Sequence, residues 1–485
     1  MSLWPGQFSG CRKLRSRKLN KDFYIKKINK EGEIAEMSNV WRDQYREKLR
    51  SADEAAICVK SGDVIFMGEF IQVVEAMDEA LAKRKDELKD VIIVTTTRTR
   101  PLKCVEADPK REVFTWDDWH FSGVARKFSE QGLASYIPFT YHQAPRVVAK
   151  YNKVDVVFIR VAPMDEKGFF NFSTSNSIGY AYCKKAAKVI VEVNSNNPRC
   201  LGGASEAIHI SEVDMIVEGP QSPLIELPAV IPGEADLGIA GHVMNLIEDG
   251  ATLQLGIGGL PNVVGSMIAK SDLKDIGVHT EMLADSYVDM YESGRITGKR
   301  KMIDKGKMVY TFAMGSKKLY DFLDNNPVCA IYPVSYTNDP RIIGLNDKVV
   351  AINNALEVDL FSQVASESSA ARQISGTGGQ LDFIMGAFNS RGGKGLICIS
   401  STFKDKKGEL HSRIVPTLTP GTIVTCPRSI THYIVTEYGA AQMKGKSTWQ
   451  RAEALIEIAH PDFREELIKQ AAELNIWRRS SKLVV

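Results

Sequence analysis

AICVKSGDVIFMGEF (56–70) and NLIEDGATLQLGIGG (245–259) repeat one local pattern: the tail of a helix, a glycine, a short apolar strand and a second glycine. The glycines stand six apart in both copies, Gly62 and Gly68 in the first, Gly250 and Gly256 in the second. A further match follows at nearly the same offset. DELKDVIIVTTT (86–97) resembles SDLKDIGVHTEM (271–282), sharing Leu-Lys-Asp and then apolar residues at alternate positions. Internal similarity on this scale marks a repeated structural unit, so the chain reads as two related halves. In this alignment Glu281 falls opposite Thr96, and only the second half carries a carboxylate there.

Working outward, helical and strand patterns alternate from Ser51 onward, the signature of α/β domains with largely parallel sheets. VIIVTTT (91–97), VDVVFIRVA (154–162), KVIVEVN (188–194), ATLQLGIGG (251–259), KMVYTFAMG (307–315), GLICISS (395–401) and HYIVTEYG (432–439) are near-continuous apolar runs ending in small or turn residues. Strands covered on both faces have that composition. Between them, 234–249 places Ile239, Val243, Leu246 and Ile247 on one helical stripe, and 447–474 is similarly amphipathic. The expected architecture is two related open α/β domains, 37–225 and 226–485. Their boundary falls in the proline-bearing stretch GPQSPLIELPAVIPGE (219–234).

Composition excludes several classes. With 485 residues, 44% hydrophobic and 25% charged, the chain sits with ordinary globular proteins. Its formal charge of +3 is concentrated in residues 1–36, which hold nine basic and four acidic side chains, against 53 basic and 55 acidic in the rest. The folded part thus has no basic excess to attract a phosphate backbone, and nucleic acid is excluded as a partner. Eight cysteines without a CxxC, or a His/Cys cluster at zinc spacing, read as reduced thiols of a cytoplasmic protein with no metal site. No apolar run reaches the ~18 residues that cross a bilayer, and the N-terminus lacks the apolar core of a secretion signal. The basic extension 1–36 reads as a transit peptide, a disordered tail, or upstream sequence that is not translated. Lys30-Glu31-Gly32-Glu33 favours the last, because its codons can form a purine-rich ribosome-binding run just before Met37.

Three glycine-bearing segments could carry chemistry. Gly256-Ile257-Gly258-Gly259-Leu260-Pro261 follows a strand and opens a helix, where free N–H groups can receive an anion. A tight turn without ligand is the equal alternative, and Pro261 breaks the dinucleotide fingerprint. Glu281 stands near the end of the next strand, where open α/β sheets bind ligands, though a lone Glu there is more often solvated surface. His279 shares its face and reads as a hydrogen-bonded structural residue rather than an acid or base. The cluster Ser375-Gly376-Thr377-Gly378-Gly379 suits a backbone surface against an extended ligand, or a plain loop. Gly439 to Gly445-Lys446-Ser447 misses the P-loop spacing by one residue, which excludes an NTPase.

Together QLGIGGLPN, GVHTEMLADSYVDMYESG, NNALEVDLFSQVASES, SGTGGQLDF and HYIVTEYGAAQMKGKSTWQRAEALIEIAHPDFREEL resemble the acetyl-CoA hydrolase/transferase family of class I CoA-transferases, from about Asn39 to Trp477. The resemblance implies an enzyme with its active site at the domain interface, moving CoA between a short-chain acyl-CoA, butyryl-CoA foremost, and acetate. It implies that Glu281 forms a glutamyl-CoA thioester. Gly256, Ile257, Gly258, Gly259 and Leu260 match the family's first CoA-binding loop, and Leu356 and Gly379 its further CoA contacts. The same resemblance implies a homo-oligomer that uses CoA thioesters as substrates and holds no permanent cofactor. 4-Hydroxybutyrate CoA transfer, acetyl-CoA hydrolysis and non-catalytic acyl-CoA binding are the alternatives.

Overall fold

Wherever a run of β-branched and aromatic residues lies between turn formers, the chain extends and pairs. The computed structural model describes residues 32–228, 230–256 and 258–476; the expectations for residues 1–31 and for Ile257 lie outside the described residues. A first sheet is built from β1 (Val64–Glu69), β2 (Val91–Thr96), β3 (Phe114–Asp118), β4 (Ala134–Tyr136), β5 (Val156–Val161), β6 (Lys188–Val193) and β7 (Met215–Glu218), in the order β4-β3-β2-β1-β5-β6-β7 and parallel throughout. A second is built from β8 (Thr252–Leu255), β9 (Gly277–His279), β10 (Met308–Tyr310), β11 (Cys329–Ile331), β12 (Val349–Asn354), β13 (Lys394–Cys398), β14 (Tyr433–Thr436) and β15 (Gly439–Gln442). Its order is β11-β10-β9-β8-β12-β13-β14-β15, with only the β14–β15 pair antiparallel.

Apart from that last strand the two orders coincide, so the sequence echo corresponds to a repeated fold. β1 and β8 are each flanked by the next strand on one side and by a later crossover strand on the other. The first glycine of each copy makes the same turn. Gly62 and Gly250 lead the chain into β1 and β8 at φ +81° and +75°, a region that side chains rarely tolerate. Between Glu218 and Glu234 the described residues form no helix or strand.

The halves share apolar packing. One buried cluster runs from Phe66, Val157 and Phe172 to Leu253, Val278 and Val435. Phe70 stacks on Phe312 with centroids 3.7 Å apart, and β-bridges join Ser175 to Phe312 and Gly202 to Ile331. Because the central strands of each sheet run parallel, their carboxyl ends meet at this seam, where open α/β sheets place ligands.

Helical expectations were met with two differences. Helix Glu234–Met244 stops short of 249, giving way to turns that lead into Gly250. The 447–474 stretch forms two helices, Thr448–Glu457 and Pro461–Glu473. The break lies at His460, whose extended ψ of 135° follows from the proline after it. All seven described cysteines are free thiols, and among the described residues no helix is long and apolar enough to cross a membrane.

Helix Gly259–Lys270 crosses helix Asp285–Glu292 at Gly265, where an added methyl would sit 2.5 Å from Ser286 Cβ. Gly265→Ala should therefore destabilise the protein by about 1–3 kcal/mol through overpacking. Gly241→Ala, in helix Glu234–Met244 with open space around it, should stabilise by up to about 1 kcal/mol. Urea-unfolding midpoints for the two variants should move in opposite directions.

Candidate active site

The main chain around Glu281 is fixed before its side chain is considered. β9 ends at His279, and Thr280 N–H donates to Val309 O at 2.9 Å. The Glu281 carbonyl accepts from both Thr311 and Phe312 N–H, at 3.0 and 3.2 Å, and Met282–Leu283 then pairs with Phe312–Ala313. His279 is wholly buried and its Nε2–H donates to Thr337 O at 2.8 Å. Burial, aided by the Lys301 charge, pushes its pKa down to about 4, so it is a neutral structural residue.

The Glu281 side chain opens on a cavity of about 210 Å³ between the halves. Phe70, Thr96, Thr97, His120, Phe139 and Tyr141 reach it from the first half; Gln254, Leu255, Gly256, Met282, Phe312, Met314, Asn353 and Gly378 reach it from the second. Glu281 is half-buried and lines this cavity. Thr96, its counterpart in the repeat, lines the same space.

Two donors hold the carboxylate. Asn338, fully buried, donates from Nδ2 to Oε2 at 2.6 Å, and the Gly379 N–H also hydrogen-bonds it. Any Cβ at Gly379 would overlap Glu281 Oε2 and Asn338 Nδ2. Gly379 has an ordinary φ of −93°, so space rather than backbone strain demands glycine here. Burial pushes the Glu281 pKa up to about 7; Asn338 pulls against it, nearby Asp382 adds to it, and the Gly379 N–H opposes it. Across the cavity, a Cβ built on Gly378 would lie 3.4 Å from His120 Cε1 and 3.8 Å from Glu281 Oε1. The glycine loop thus threads between the imidazole and the carboxylate. Burial and Arg126 push the His120 pKa down to about 4, leaving it neutral.

Of the residues singled out in the sequence, Glu281 and Gly256 line one cavity and Gly379 seats the carboxylate. Gly258 caps helix Gly259–Lys270 at φ +119°. Gly259 packs against Asp236 and Pro232, Leu260 is buried and Leu356 half-buried, and none of these four lines the cavity. Sequence reasoning missed Asn338, His120, Tyr141 and the aromatic wall. Only the alignment of Thr96 with Glu281 pointed to the opposite side. Asp405, Glu409 and His411 cluster closely enough to hold a metal ion, but on the hairpin Thr402–Ser412, and none of them lines the cavity.

A fold alone does not fix an activity; similarity to known proteins makes this frame of two α/β halves that of a CoA-transferring enzyme. Residues 26–228 match the acetyl-CoA hydrolase/transferase N-terminal domain and residues 315–471 match the C-terminal domain. Butyryl-CoA:acetate CoA-transferase of Anaerostipes caccae is 52% identical over 444 residues, 91% of this chain and 100% of that one. A probable butyrate:acetyl-CoA coenzyme A-transferase of Syntrophomonas wolfei is 50% identical over 442 residues, 91% and 98% of the two chains. The crystal structure of RipA from Yersinia pestis superposes with a TM-score of 0.81 at 37% identity, covering 90% and 99%. The chain belongs to the acetyl-CoA hydrolase/transferase family.

The raised Glu281 pKa makes a stability prediction with a definite sign. The folded state holds this proton more tightly than the unfolded chain, so ionisation of Glu281 destabilises the fold progressively as pH rises from about 4.5 through about 7. Glu281→Gln should unfold at higher denaturant than the parent at pH 8, and the gain should vanish at pH 4, where both side chains are neutral. Equal gains at both pH values would contradict a buried, titrating carboxylate.

Proposed function

We propose that the protein moves CoA from butyryl-CoA to acetate, with Glu281 as the nucleophile. The observation that carries the reading is the Glu281 carboxylate, held by Asn338 and Gly379, opening on a cavity walled by Phe70, Phe139, Met282, Phe312 and Met314. Such walls suit a short aliphatic acyl chain and offer no cation to a second carboxylate. The names of the two relatives support butyrate and acetate as the exchanged acids.

Glu281 attacks the thioester carbonyl, the C–S bond breaks, and CoA leaves as thiolate, giving a mixed anhydride. The thiolate then attacks the glutamyl carbonyl and expels butyrate, leaving a glutamyl-CoA thioester. Acetate attacks that thioester, releases thiolate again and forms the acetyl-glutamyl anhydride. Attack of the thiolate on the acetyl carbon yields acetyl-CoA and restores the carboxylate. Charge is conserved at each stage, and no net proton or electron is transferred; one hard exchange becomes several easier ones. Gly256, Ile257, Gly258, Gly259 and Leu260, with Leu356 and Gly379, bind the CoA moiety in this reading, whose remote contacts orient the reacting centre. Neutral His120, which lines the cavity, is the candidate donor to the developing oxyanion in this reading. Residues 37–225 and 226–485 act as the two domains of a cytoplasmic homo-oligomer that needs no resident cofactor for these steps.

Incubation with butyryl-CoA followed by borohydride should reduce a thioester at Glu281, found by peptide mass mapping. Glu281→Ala should lower exchange by roughly three orders of magnitude or more while CoA still binds. A reduced residue elsewhere, or surviving exchange, would rule out the assignment; thiol release that ignores acetate would indicate hydrolysis instead.

A further inference from the structure

Behind Glu281 lies a second buried carboxylate. Asp382, in the first turn of helix Gln380–Asn389, has a side chain only 1% exposed. His142, 240 residues earlier and in the other half, meets it twice: its main-chain N–H donates to Oδ2 at 3.0 Å, and its ring Nδ1 lies 2.7 Å from Oδ1. The Asn338 side chain, which donates to Glu281, also lies close enough to Asp382 to draw its pKa down. The order is therefore His142, Asp382, Asn338, Glu281, crossing from the first half into the nucleophile.

Resting on the reading of Glu281 as nucleophile, we propose that His142 is a positioning residue. Its imidazolium, supplied by the opposite half, neutralises Asp382, and that pair fixes Asn338 and keeps the Glu281 carboxylate ionised and oriented toward the cavity.

The groups facing each member pull in both directions. Burial favours neutral His142, but the hydrogen bond and charge of Asp382, with Asp339, outweigh it; Arg341 opposes them, and the pKa is raised overall. Burial raises the Asp382 pKa overall, although His142 and Asn338 draw it down. Asp382 in turn raises that of Glu281. Burial, with Glu281 and Glu69, holds Tyr141, the neighbour of His142, as a neutral phenol bonded to Ser177. In His142→Gln the replacement amide can donate to Oδ1 in place of the ring while the main-chain N–H still donates to Oδ2, so Asp382 keeps its hydrogen bonds and loses only the opposing charge. Its field on Glu281 is then unopposed.

The test is the pH profile of kcat/KM for butyryl-CoA:acetate exchange in the full-length enzyme. His142→Gln, which removes the charge, should move the acidic limb up by roughly one pH unit and lower kcat at neutral pH, with KM for butyryl-CoA within about twofold. Asp382→Asn, which removes the anion, should move the limb down. A structural defect alone would not shift the limb in opposite directions. A limb unmoved in both variants, or moved the same way, overturns the proposal. If His142→Gln is not recovered folded, Asp382→Asn decides alone, a downward limb in support and any other result against. Borohydride mapping of the unsubstituted enzyme separates this outcome from failure of the nucleophile assignment, since a reduced Glu281 leaves that reading standing whatever His142 does.

Discussion

Contact between the Glu281 carboxylate and the Gly379 backbone is the constraint around which the site is arranged. A carboxylate in water is a weak nucleophile because its charge is fully solvated, and one buried without donors would simply hold its proton. Here packing removes most of the water while one side-chain amide and one main-chain N–H replace part of it. The group therefore ionises near neutrality instead of remaining permanently charged or permanently neutral. For this geometry Gly379 must lack a side chain, Asn338 must be immobile, and the two halves must close on each other.

Duplication explains how such a seam arises. Two copies of one parallel sheet present the same strand ends to each other, so equivalent loops face across the cavity. Their chemistry then diverges. The ends of β1 and β2 contribute Phe70, Thr96 and Thr97, which supply wall and contour. The ends of β8 and β9 contribute Gly256 and Glu281, which supply open backbone and reactivity. The repeat builds the site, and the asymmetry within it separates substrate wall from nucleophile.

Much of this was legible in the sequence because it is local. Gly62 and Gly250 occupy the same left-handed position in each copy, and all seven apolar runs lie in the sheets. Strands such as Phe114–Asp118 were hidden by acidic residues at their ends, where Asp118 is buried as an anchor rather than exposed. Asn338 and the His142–Asp382 pair were illegible for a different reason: their partners lie 57 and 240 positions away. No periodicity encodes that proximity; only the docking of the halves creates it. The two-helix ending of 447–474 was available from Pro461 and was overridden by the continuous apolar stripe.

Burial alone would not have identified the nucleophile, because three carboxylates at the seam are pushed up to about 7 by it: Glu69, Asp118 and Glu281. Their surroundings separate them. Glu69 has Oε2 occupied by the Ser175 hydroxyl at 2.7 Å and Oε1 by the Ile178 N–H at 2.9 Å, which ties β1 to the start of helix Gly179–Lys185. Asp118 accepts from the Thr97 and His120 N–H groups through Oδ1 and so sets two cavity-lining residues in place without lining the cavity itself. Glu281 alone of the three lines the cavity. A perturbed pKa thus reports that a carboxyl group is buried, whereas reactivity requires that one of its oxygens still face the space where substrate can arrive. Glu69 through both oxygens and Asp118 through Oδ1 hold loops, and the loops they hold shape the cavity that Glu281 lines.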